Sequence, residues 1–212
     1  MGHTKIMSMS MVQKNFLTTQ AVDVLKKGGV TVYPTETAYG LGADATNHRA
    51  VERIFKIKGR AHAKSVLLLM KDVAMVKRYA LVSAEELSLM KKFWPCALTI
   101  VLRVKPEMRS KLAQGVVAKD GSIAVRVSSN THAHALVKGL GKPLVSTSAN
   151  RAGGANTYSV AGVKKQLGAS LRATSFPYYI YDAGILPRRK VSTIVRLYKG
   201  RVEVLRQGEI IL

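Results

Sequence analysis

Hydrophobic and polar residues alternate along the chain in two different periods, and the changes between these periods predict a series of strands and helices. Residues 30–33 form a β-branched run behind two glycines, which is typical of a buried strand. Pro34 ends this strand because proline has no N–H to donate to a neighbouring strand. Predicted strands and helices follow each other through short connections. We therefore predict a single α/β domain over residues 1–212, with residues 1–14 as a loose N-terminal segment.

Helices are predicted where apolar residues recur every three or four positions behind a residue that can cap a helix. Asn47 begins such a helix, and Gly59 lies where it should end. Near the N-terminus, Thr18 or Thr19 is expected to cap a helix over residues 21–27, after a short strand or a loose end. The other predicted helices cover residues 72–79, 83–93, 107–113, 131–138 and 159–167.

The remaining strands are predicted from short apolar runs. They cover residues 65–70, 97–104, 123–127, 143–145 and 178–181, and a C-terminal hairpin of residues 192–198 and 202–205. We interpret three polar segments as strand exits, namely residues 34–37, 146–150 and 191–193. Open α/β sheets commonly bind ligands at the ends of their strands, so these segments are candidates for a site. The alternative is an ordinary strand followed by a polar turn.

The charge of the chain changes this picture most. Lys and Arg number 34 against 12 Asp and Glu, which gives a formal net charge of +22. Such a surplus favours a polyanionic partner, an anionic substrate, or both, although a basic surface without a function would give the same count. Hydrophobic residues make up 47% of the 212 residues, which excludes a disordered basic tail.

The number of cysteines and the lengths of the apolar runs indicate the cellular compartment in which the protein works. Cys96 is the single cysteine, so no internal disulfide forms, and no Cys/His spacing typical of a zinc site is present. No apolar run is long enough to cross a bilayer. A reducing, cytoplasmic setting without membrane contact is therefore expected.

The candidate chemistry is that of phosphate binding. Lys58 supplies a point charge, and Arg60 supplies a planar guanidinium that binds pairs of oxygens. The hydroxyls of the polar segments are small enough to donate hydrogen bonds to a phosphate without crowding it. The chain has no Walker A pattern, no complete dinucleotide fingerprint and no recognisable Ser-His-Asp or Cys-His set. A nucleotide would therefore bind through another architecture.

Each of these residues also has a structural explanation. Lys58 and Arg60 could be a solvated helix end, and Ser148 with Asn150 could be a helix cap or an Asx-turn. Arg126 is different, because an arginine inside an apolar strand is costly to bury without a ligand or an ion pair. Glu36 could cap a backbone amide. Residues 188–190 are a basic loop that is either solvated or in contact with tRNA.

Several of these segments, taken in order, closely resemble the threonylcarbamoyl-AMP synthase family in its short, single-domain YrdC-like form. The segments are residues 33–37 (Tyr-Pro-Thr-Glu-Thr), 39–42 (Tyr-Gly-Leu-Gly), 58–60 (Lys-Gly-Arg), 148–150 (Ser-Ala-Asn), 93–95, 123–126, 142–147, 192–193 and 205–208. Any one tripeptide would be weak evidence, whereas the ordered set spans nearly the whole chain. The resemblance implies an α/β fold with a twisted, mixed parallel and antiparallel sheet, flanked by helices, around an open basic cavity.

The resemblance also implies a reaction and a set of partners. Members of the family are nucleotidyltransferases, which form threonylcarbamoyl-AMP and pyrophosphate from L-threonine, bicarbonate and ATP. The product serves the t6A modification of tRNA. A downstream threonylcarbamoyl transferase would use the product. Mg²⁺ is expected to arrive with ATP, since the sequence shows no carboxylate cage for a dedicated metal site.

Site residues follow from the matched motifs. The resemblance implies a catalytic set of Lys58, Arg60, Ser148 and Asn150. It implies a threonine-binding set of Thr35, Arg126, Ser146 and Ser192. It implies an ATP-binding set of Lys58, Arg60, Ser122, Ser148, Asn156 and Arg206.

Three positions depart from the family pattern; two are expected to change only the local backbone, and the third, Arg196, leaves a second function open. Ala61 stands where the family often has proline, Cys96 where it usually has glycine, and Arg196 where an acid is common. A non-catalytic paralogue that binds tRNA or other RNA on the same fold is the alternative, supported by the net charge of +22. The retained Lys-x-Arg and Ser-x-Asn motifs favour the enzyme.

Overall fold

A mixed sheet organises the part of the chain that our computed structural model describes, which is residues 11–59, 66–173 and 175–212. Within these residues the sheet has nine strands. Their bounds are β1 Val30–Pro34, β2 Tyr39–Asp44, β3 Leu67–Leu69, β4 Leu98–Arg103, β5 Ser122–Arg126, β6 Leu144–Ser148, β7 Tyr178–Ile180, β8 Thr193–Tyr198 and β9 Arg201–Arg206. Across the sheet the order is β7-β1-β2-β6-β3-β5-β4-β8-β9.

The sheet mixes both kinds of strand pairing, as predicted. The pairs β1–β7, β3–β5 and β4–β8 are parallel, and the other neighbours are antiparallel. The β8–β9 hairpin turns at Lys199 and Gly200, both of which have positive φ. The hairpin that the sequence predicted is therefore confirmed.

The described helices lie around this sheet. They are α1 Met11–Lys26, α2 His48–Lys58, α3 Val73–Tyr79, α4 Ala84–Phe93, α5 Pro106–Arg109, α6 Thr131–Leu140 and α7 Val160–Arg172. Helix α2 begins where predicted, because the Asn47 side chain accepts a hydrogen bond from the Ala50 N–H. It ends at Gly59, whose φ of 61° is the left-handed conformation that glycine adopts without strain.

The two faces of the central strands carry different side chains, because successive residues of a strand point to opposite faces. One row of register partners is fully buried in the core, and it consists of Val145, Leu68, Val125, Ile100 and Val195. The neighbouring row points to the other face and consists of Ser146, Leu67, Ala124 and Val101. One face of the central strands thus builds the core, and the other, the polar face, carries Ser146 among apolar side chains.

The N-terminal prediction was wrong within the described residues. Helix α1 begins at Met11, so residues 11–14 are helical and not a loose segment, and neither Thr18 nor Thr19 caps the helix. Residues 1–10 lie outside the described residues. The Thr18 and Thr19 hydroxyls instead donate to the Lys14 and Asn15 carbonyls one turn back, as threonines inside a helix do. These two hydroxyls are therefore hydrogen-bonded inside helix α1 and do not cap its N-terminus.

Strand β2 was not predicted, because its glycines and Asp44 are residues that strands usually lack. Its glycines make room for the Tyr33 ring of β1. A Cβ at Gly42 would lie 2.7 Å from the Tyr33 Cε1 and 2.8 Å from the Val145 carbonyl oxygen. At Gly40 it would lie 3.2 Å from the Tyr33 Cζ. The aromatic ring and the two glycines therefore belong to one packing unit.

Candidate active site

The polar face of the sheet forms the floor of a cavity of about 530 Å³. Pairs of residues two positions apart contribute to it from three of the central strands, as the alternation of a strand requires. These pairs are Ser146 and Ser148 on β6, Ala124 and Arg126 on β5, and Thr99 and Val101 on β4. Loops and the last strand add Thr35, Asn156, Ser192, Leu205 and Arg206.

This placement corrects the expected location of the site. Residues 146–148 lie within β6, which continues to Ser148, and Ser192 precedes β8 and does not follow a strand. Residues 35–37 do follow the end of β1, as predicted, whereas the other two segments reach the cavity from within β6 and from the residue that precedes β8. The side-chain alternation of strands brings them together.

Arg126 is the charged centre of the cavity wall. Its side chain is 3% exposed, and its Nε lies 3.4 Å from the Glu36 Oε1, so the expectation that this buried arginine has an ion-pair partner or a ligand is confirmed. The Ser128 hydroxyl donates to the other carboxylate oxygen of Glu36. Glu36 therefore does not cap a backbone amide, as was considered, but neutralises Arg126.

Arg206 brings a second guanidinium to the same cavity. Its Nε and Nη2 donate to the Ser192 carbonyl oxygen at 3.1 and 2.7 Å, and Nη2 also donates to the Ser192 hydroxyl at 2.9 Å. The Thr99 hydroxyl donates to the same Ser192 oxygen at 3.0 Å. Partial desolvation of the guanidinium, followed by the nearby charge of Arg126, lowers the pKa of Arg206 from its ordinary value, although the residue as a whole is exposed. The cavity thus holds two guanidinium groups close enough to influence each other.

Lys58 lies beneath the Ser148 turn and is not a solvated helix end, since it is 4% exposed. Its Nζ donates to the Ser148 carbonyl oxygen, and to the backbone and side-chain oxygens of Asn150 at 2.8 and 3.0 Å. The Ser148 hydroxyl donates to the same Asn150 Oδ1 at 2.6 Å. Three of the four predicted catalytic residues therefore form one hydrogen-bonded cluster, and of these Ser148 lines the cavity.

Thr35 lines the cavity, but its hydroxyl already serves the turn between β1 and β2. Its Oγ1 donates to the Ala38 carbonyl oxygen at 2.7 Å and accepts from the backbone N–H groups of Thr37 and Ala38. The described geometry therefore gives Thr35 a role in shaping this turn. Its contact with the substrate threonine stays a prediction.

Four predicted residues are not among the described residues that line the cavity, namely Lys58 and Asn150 of the cluster, Ser122 and Arg60. Ser122 lies at the first position of β5, on the same face as Ala124 and Arg126, and its hydroxyl donates to Asp120 at 2.7 Å. Its role in binding ATP stays a prediction. Arg60, and with it the departure at Ala61, lies outside the described residues.

The other two departures, at Arg196 and Cys96, lie within the described residues. Arg196 is an exposed residue of β8 that pairs with Glu203 of β9 at 2.7 Å, so it links the two strands of the C-terminal hairpin. Cys96 is half-buried, and burial raises the pKa of its thiol. Neither of them lines the described cavity.

Sequence reasoning missed Thr99 and the pairing of Glu36 with Arg126. Thr99 was predicted within a strand, and its alternation with the apolar Leu98 and Ile100 was the signal that could have placed it on the opposite face from the core. The contact between Glu36 and Arg126 joins residues 90 positions apart, so no local pattern predicts it.

A second cavity, of about 650 Å³, lies between α2 and the end of α7 and contains no predicted site residue. Over the described ranges, no three His, Cys, Asp or Glu residues gather closely enough to hold a metal ion. No helix in the same ranges has the length and apolarity needed to span a membrane.

A protein-family model described as "Telomere recombination", which covers Sua5, YciO and YrdC, matches residues 23–208. The chain belongs to this family. A threonylcarbamoyl-AMP synthase of Thiobacillus denitrificans is 33% identical over 179 residues, which are 84% of this chain and 89% of that protein. The family resemblance seen in the sequence motifs is thereby confirmed.

Solved structures of this family share the fold. The YciO protein of E. coli has a TM-score of 0.76 and 31% identity, with 92% of this chain and 90% of that chain covered. The Sua5 protein of P. abyssi in complex with L-threonine has a TM-score of 0.78 and 28% identity, with 92% of this chain covered. This chain spans 54% of that Sua5 protein's length. The predicted mixed α/β sheet flanked by helices is confirmed.

Proposed function

We propose that this chain is a threonylcarbamoyl-AMP synthase, which forms threonylcarbamoyl-AMP and pyrophosphate from L-threonine, bicarbonate and ATP. The observation that carries the proposal is the pair of guanidiniums, Arg126 and Arg206, in one hydroxyl-lined cavity. A guanidinium fork suits the oxygen pairs of carboxylates and phosphates, and this reaction needs both kinds of group in one place. The synthase of Thiobacillus denitrificans and the L-threonine complex of Sua5 support the assignment.

The chemistry requires little covalent participation from the protein. The threonine amine attacks bicarbonate to give a carbamate and water. A carbamate oxygen then attacks the α-phosphorus of ATP, and pyrophosphate leaves with the electron pair of the broken P–O bond. Positioning the reactants and neutralising their negative charge can supply most of the rate enhancement. The described cavity offers these functions through cations and hydroxyls.

We assign the two guanidiniums to different reactants. Arg126, beside Ser146 and Thr35, would bind the threonine carboxylate, with Ser192 at its edge. Arg206, together with Ser148 and Asn156, would bind the ATP phosphates. Ser122 and Arg60 remain predicted ATP ligands from the family motif.

Lys58 and Asn150 would support the ATP phosphates from below. In the described geometry the Lys58 ammonium holds the Ser148–Asn150 turn through three oxygens. The role we propose is to fix this turn and to add positive charge beneath the phosphates. Mg²⁺ would enter with the triphosphate, because the polar side chains among the described lining residues are cations, hydroxyls and an amide, which do not form a carboxylate cage.

The test is the release of pyrophosphate with each substrate omitted in turn. Release should require both threonine and bicarbonate. Serine should support it less well, since a missing methyl group is worth about 1–3 kcal/mol of discrimination. Equal release without any amino acid would identify a simple ATP hydrolase and contradict the proposal.

RNA binding is a second candidate function, and the net charge of +22 favours it. It would serve an enzyme whose product modifies tRNA, or it would stand alone in a paralogue without activity. We further propose a cytoplasmic setting, in which a threonylcarbamoyl transferase receives the adenylate.

A further inference from the structure

The two guanidiniums of the cavity differ in how their charge is balanced. Arg126 has the Glu36 carboxylate 3.4 Å from its Nε, and both side chains are nearly buried, at 3% and 11% exposure. Among the described residues, no carboxylate lies within ion-pair distance of Arg206, whose donors meet the neutral oxygens of Ser192. One side of the cavity is therefore close to neutral, and the other carries a net positive charge.

Glu36 is held firmly in this position. The Ser128 hydroxyl donates to its Oε2, and the same hydroxyl oxygen accepts a hydrogen bond from the Asn130 N–H at 3.2 Å. The Asn130 side chain in turn caps helix α6 by accepting from the His132 and Ala133 N–H groups. In the described residues the Glu36 Oε1 has no hydrogen-bond donor, so the charge of Arg126 is its main compensation.

This difference distinguishes between ligands of different charge. A phosphate group with its full negative charge near Arg126 would also lie near the buried Glu36 carboxylate, and the weak screening there makes that repulsion strong. An amino-acid zwitterion has no net charge, so it matches a neutral ion pair. Near Arg206 no such repulsion operates, and the uncompensated cation favours a polyanion.

We propose that Glu36 is a specificity-determining residue, which reserves the Arg126 side of the cavity for the amino acid by excluding phosphate from it. Glu36 acts through Arg126 and through its own charge, so it is a positioning residue. This inference rests on the proposed function, because it assumes that the amino acid and the nucleotide share this cavity.

The experiment replaces Glu36 with glutamine, which keeps the shape and removes the charge. In the wild type, pyrophosphate should compete with ATP and leave the threonine KM unchanged. In Glu36→Gln, pyrophosphate should also compete with threonine, and saturating ATP should raise the threonine KM by about tenfold. A threonine KM that is independent of ATP and pyrophosphate in folded Glu36→Gln would overturn the proposal.

Two further variants separate this effect from a structural one. Glu36→Asp keeps the charge and should keep pyrophosphate from competing with threonine, even if the shorter side chain lowers stability. Glu203→Gln removes the same charge from another Glu–Arg pair, the exposed one with Arg196, and should behave as wild type. Competition that appears in Glu36→Asp or Glu203→Gln to the same extent would also overturn the proposal.

A binding measurement distinguishes failure of this inference from failure of the proposed function. Calorimetric titration of threonine into the folded protein, with and without pyrophosphate, needs no turnover. Pyrophosphate should weaken threonine binding in Glu36→Gln and not in the wild type. A wild type that binds both ligands in this way without forming adenylate would contradict the proposed function and leave the role of Glu36 intact. Equal interference by pyrophosphate in both proteins would overturn that role.

Discussion

At the scale of single residues, the hydroxyl of Tyr33 is buried beside the cavity floor and lacks a hydrogen-bond partner of normal geometry within the described residues. Burial raises the pKa of Tyr33 well above its usual range, and the neighbouring Ser146 hydroxyl lowers it only in part. A buried hydroxyl without a partner is costly, so its removal should not destabilise the protein. We expect Tyr33→Phe to leave the free energy of unfolding unchanged or to raise it by about 1 kcal/mol. Urea denaturation measures this difference.

Tyr39 is the matched control for this prediction. Its hydroxyl donates to the Gly184 carbonyl oxygen at 2.8 Å and accepts from the Ala183 N–H at 2.9 Å. Tyr39→Phe should therefore lower the free energy of unfolding by about 1–2 kcal/mol. An equal loss of stability in both variants would contradict the assigned environment of Tyr33.

Arg126 provides the residue-scale test of the threonine site. Arg126→Lys keeps the positive charge beside Glu36 but lacks the planar fork that binds both oxygens of a carboxylate. The threonine KM should rise by about tenfold or more, with a much smaller change in the ATP KM. Steady-state kinetics with each substrate varied in turn measure both constants.

Arg196→Lys is the control for Arg126→Lys, because it makes the same replacement in an exposed Arg–Glu pair. Its threonine KM should equal that of the wild type. A rise in the ATP KM of Arg126→Lys, with an unchanged threonine KM, would reverse the assignment of the two guanidiniums.

At the scale of elements, strand β2 depends on its glycines. A Cβ at Gly42 would approach a side-chain carbon at 2.7 Å and a backbone oxygen at 2.8 Å, whereas at Gly40 the nearest atoms are side-chain atoms at 3.2 and 3.3 Å. We expect Gly42→Ala to lower the free energy of unfolding by about 1–3 kcal/mol and Gly40→Ala to lower it less. Thermal unfolding of both variants tests this order. Gly40→Ala as the more destabilised variant would contradict the packing of β1 against β2.

Elements with local signals were predictable from the sequence. Asn47 and Gly59 bound α2, and Ser83 with Glu86 forms a capping box at the start of α4, where a helix was predicted, because caps are interactions between residues three or four positions apart. The early turns of helix α1, before the predicted helix of residues 21–27, and strand β2 were not predicted. Helix α1 lacks a clear apolar period over these turns, and the glycines of β2 are required by a ring on another strand.

The candidate site was predictable as a set of residues and not as a geometry. The position of Arg126 in an apolar strand predicted that it has a partner, and in the structure this partner is Glu36. That pairing, the buried position of Lys58 and the placement of polar side chains on a sheet face all depend on strand register. Register joins distant parts of the chain, so the local sequence does not determine it.

At the scale of the whole molecule, the net charge of +22 predicts binding to RNA with little sequence preference. Cations that contact phosphates release counterions, so the affinity should fall steeply with salt. A loss of about 10³ or more between about 50 and 200 mM salt is expected if six or more phosphates are contacted. Fluorescence anisotropy with unrelated RNA sequences measures it. Affinity that is independent of salt, or restricted to one sequence, would contradict this prediction.

The central claim is that the two-guanidinium cavity joins an amino acid to a nucleotide through a carbon atom from bicarbonate. The most direct test is mass spectrometry of the product after incubation with ATP, Mg²⁺, threonine and ¹³C-labelled bicarbonate. Our account predicts an adenylate that contains threonine and the labelled carbon, formed by the wild type and strongly reduced in Arg126→Lys. A folded wild type that binds ATP and threonine but forms no labelled adenylate would contradict it.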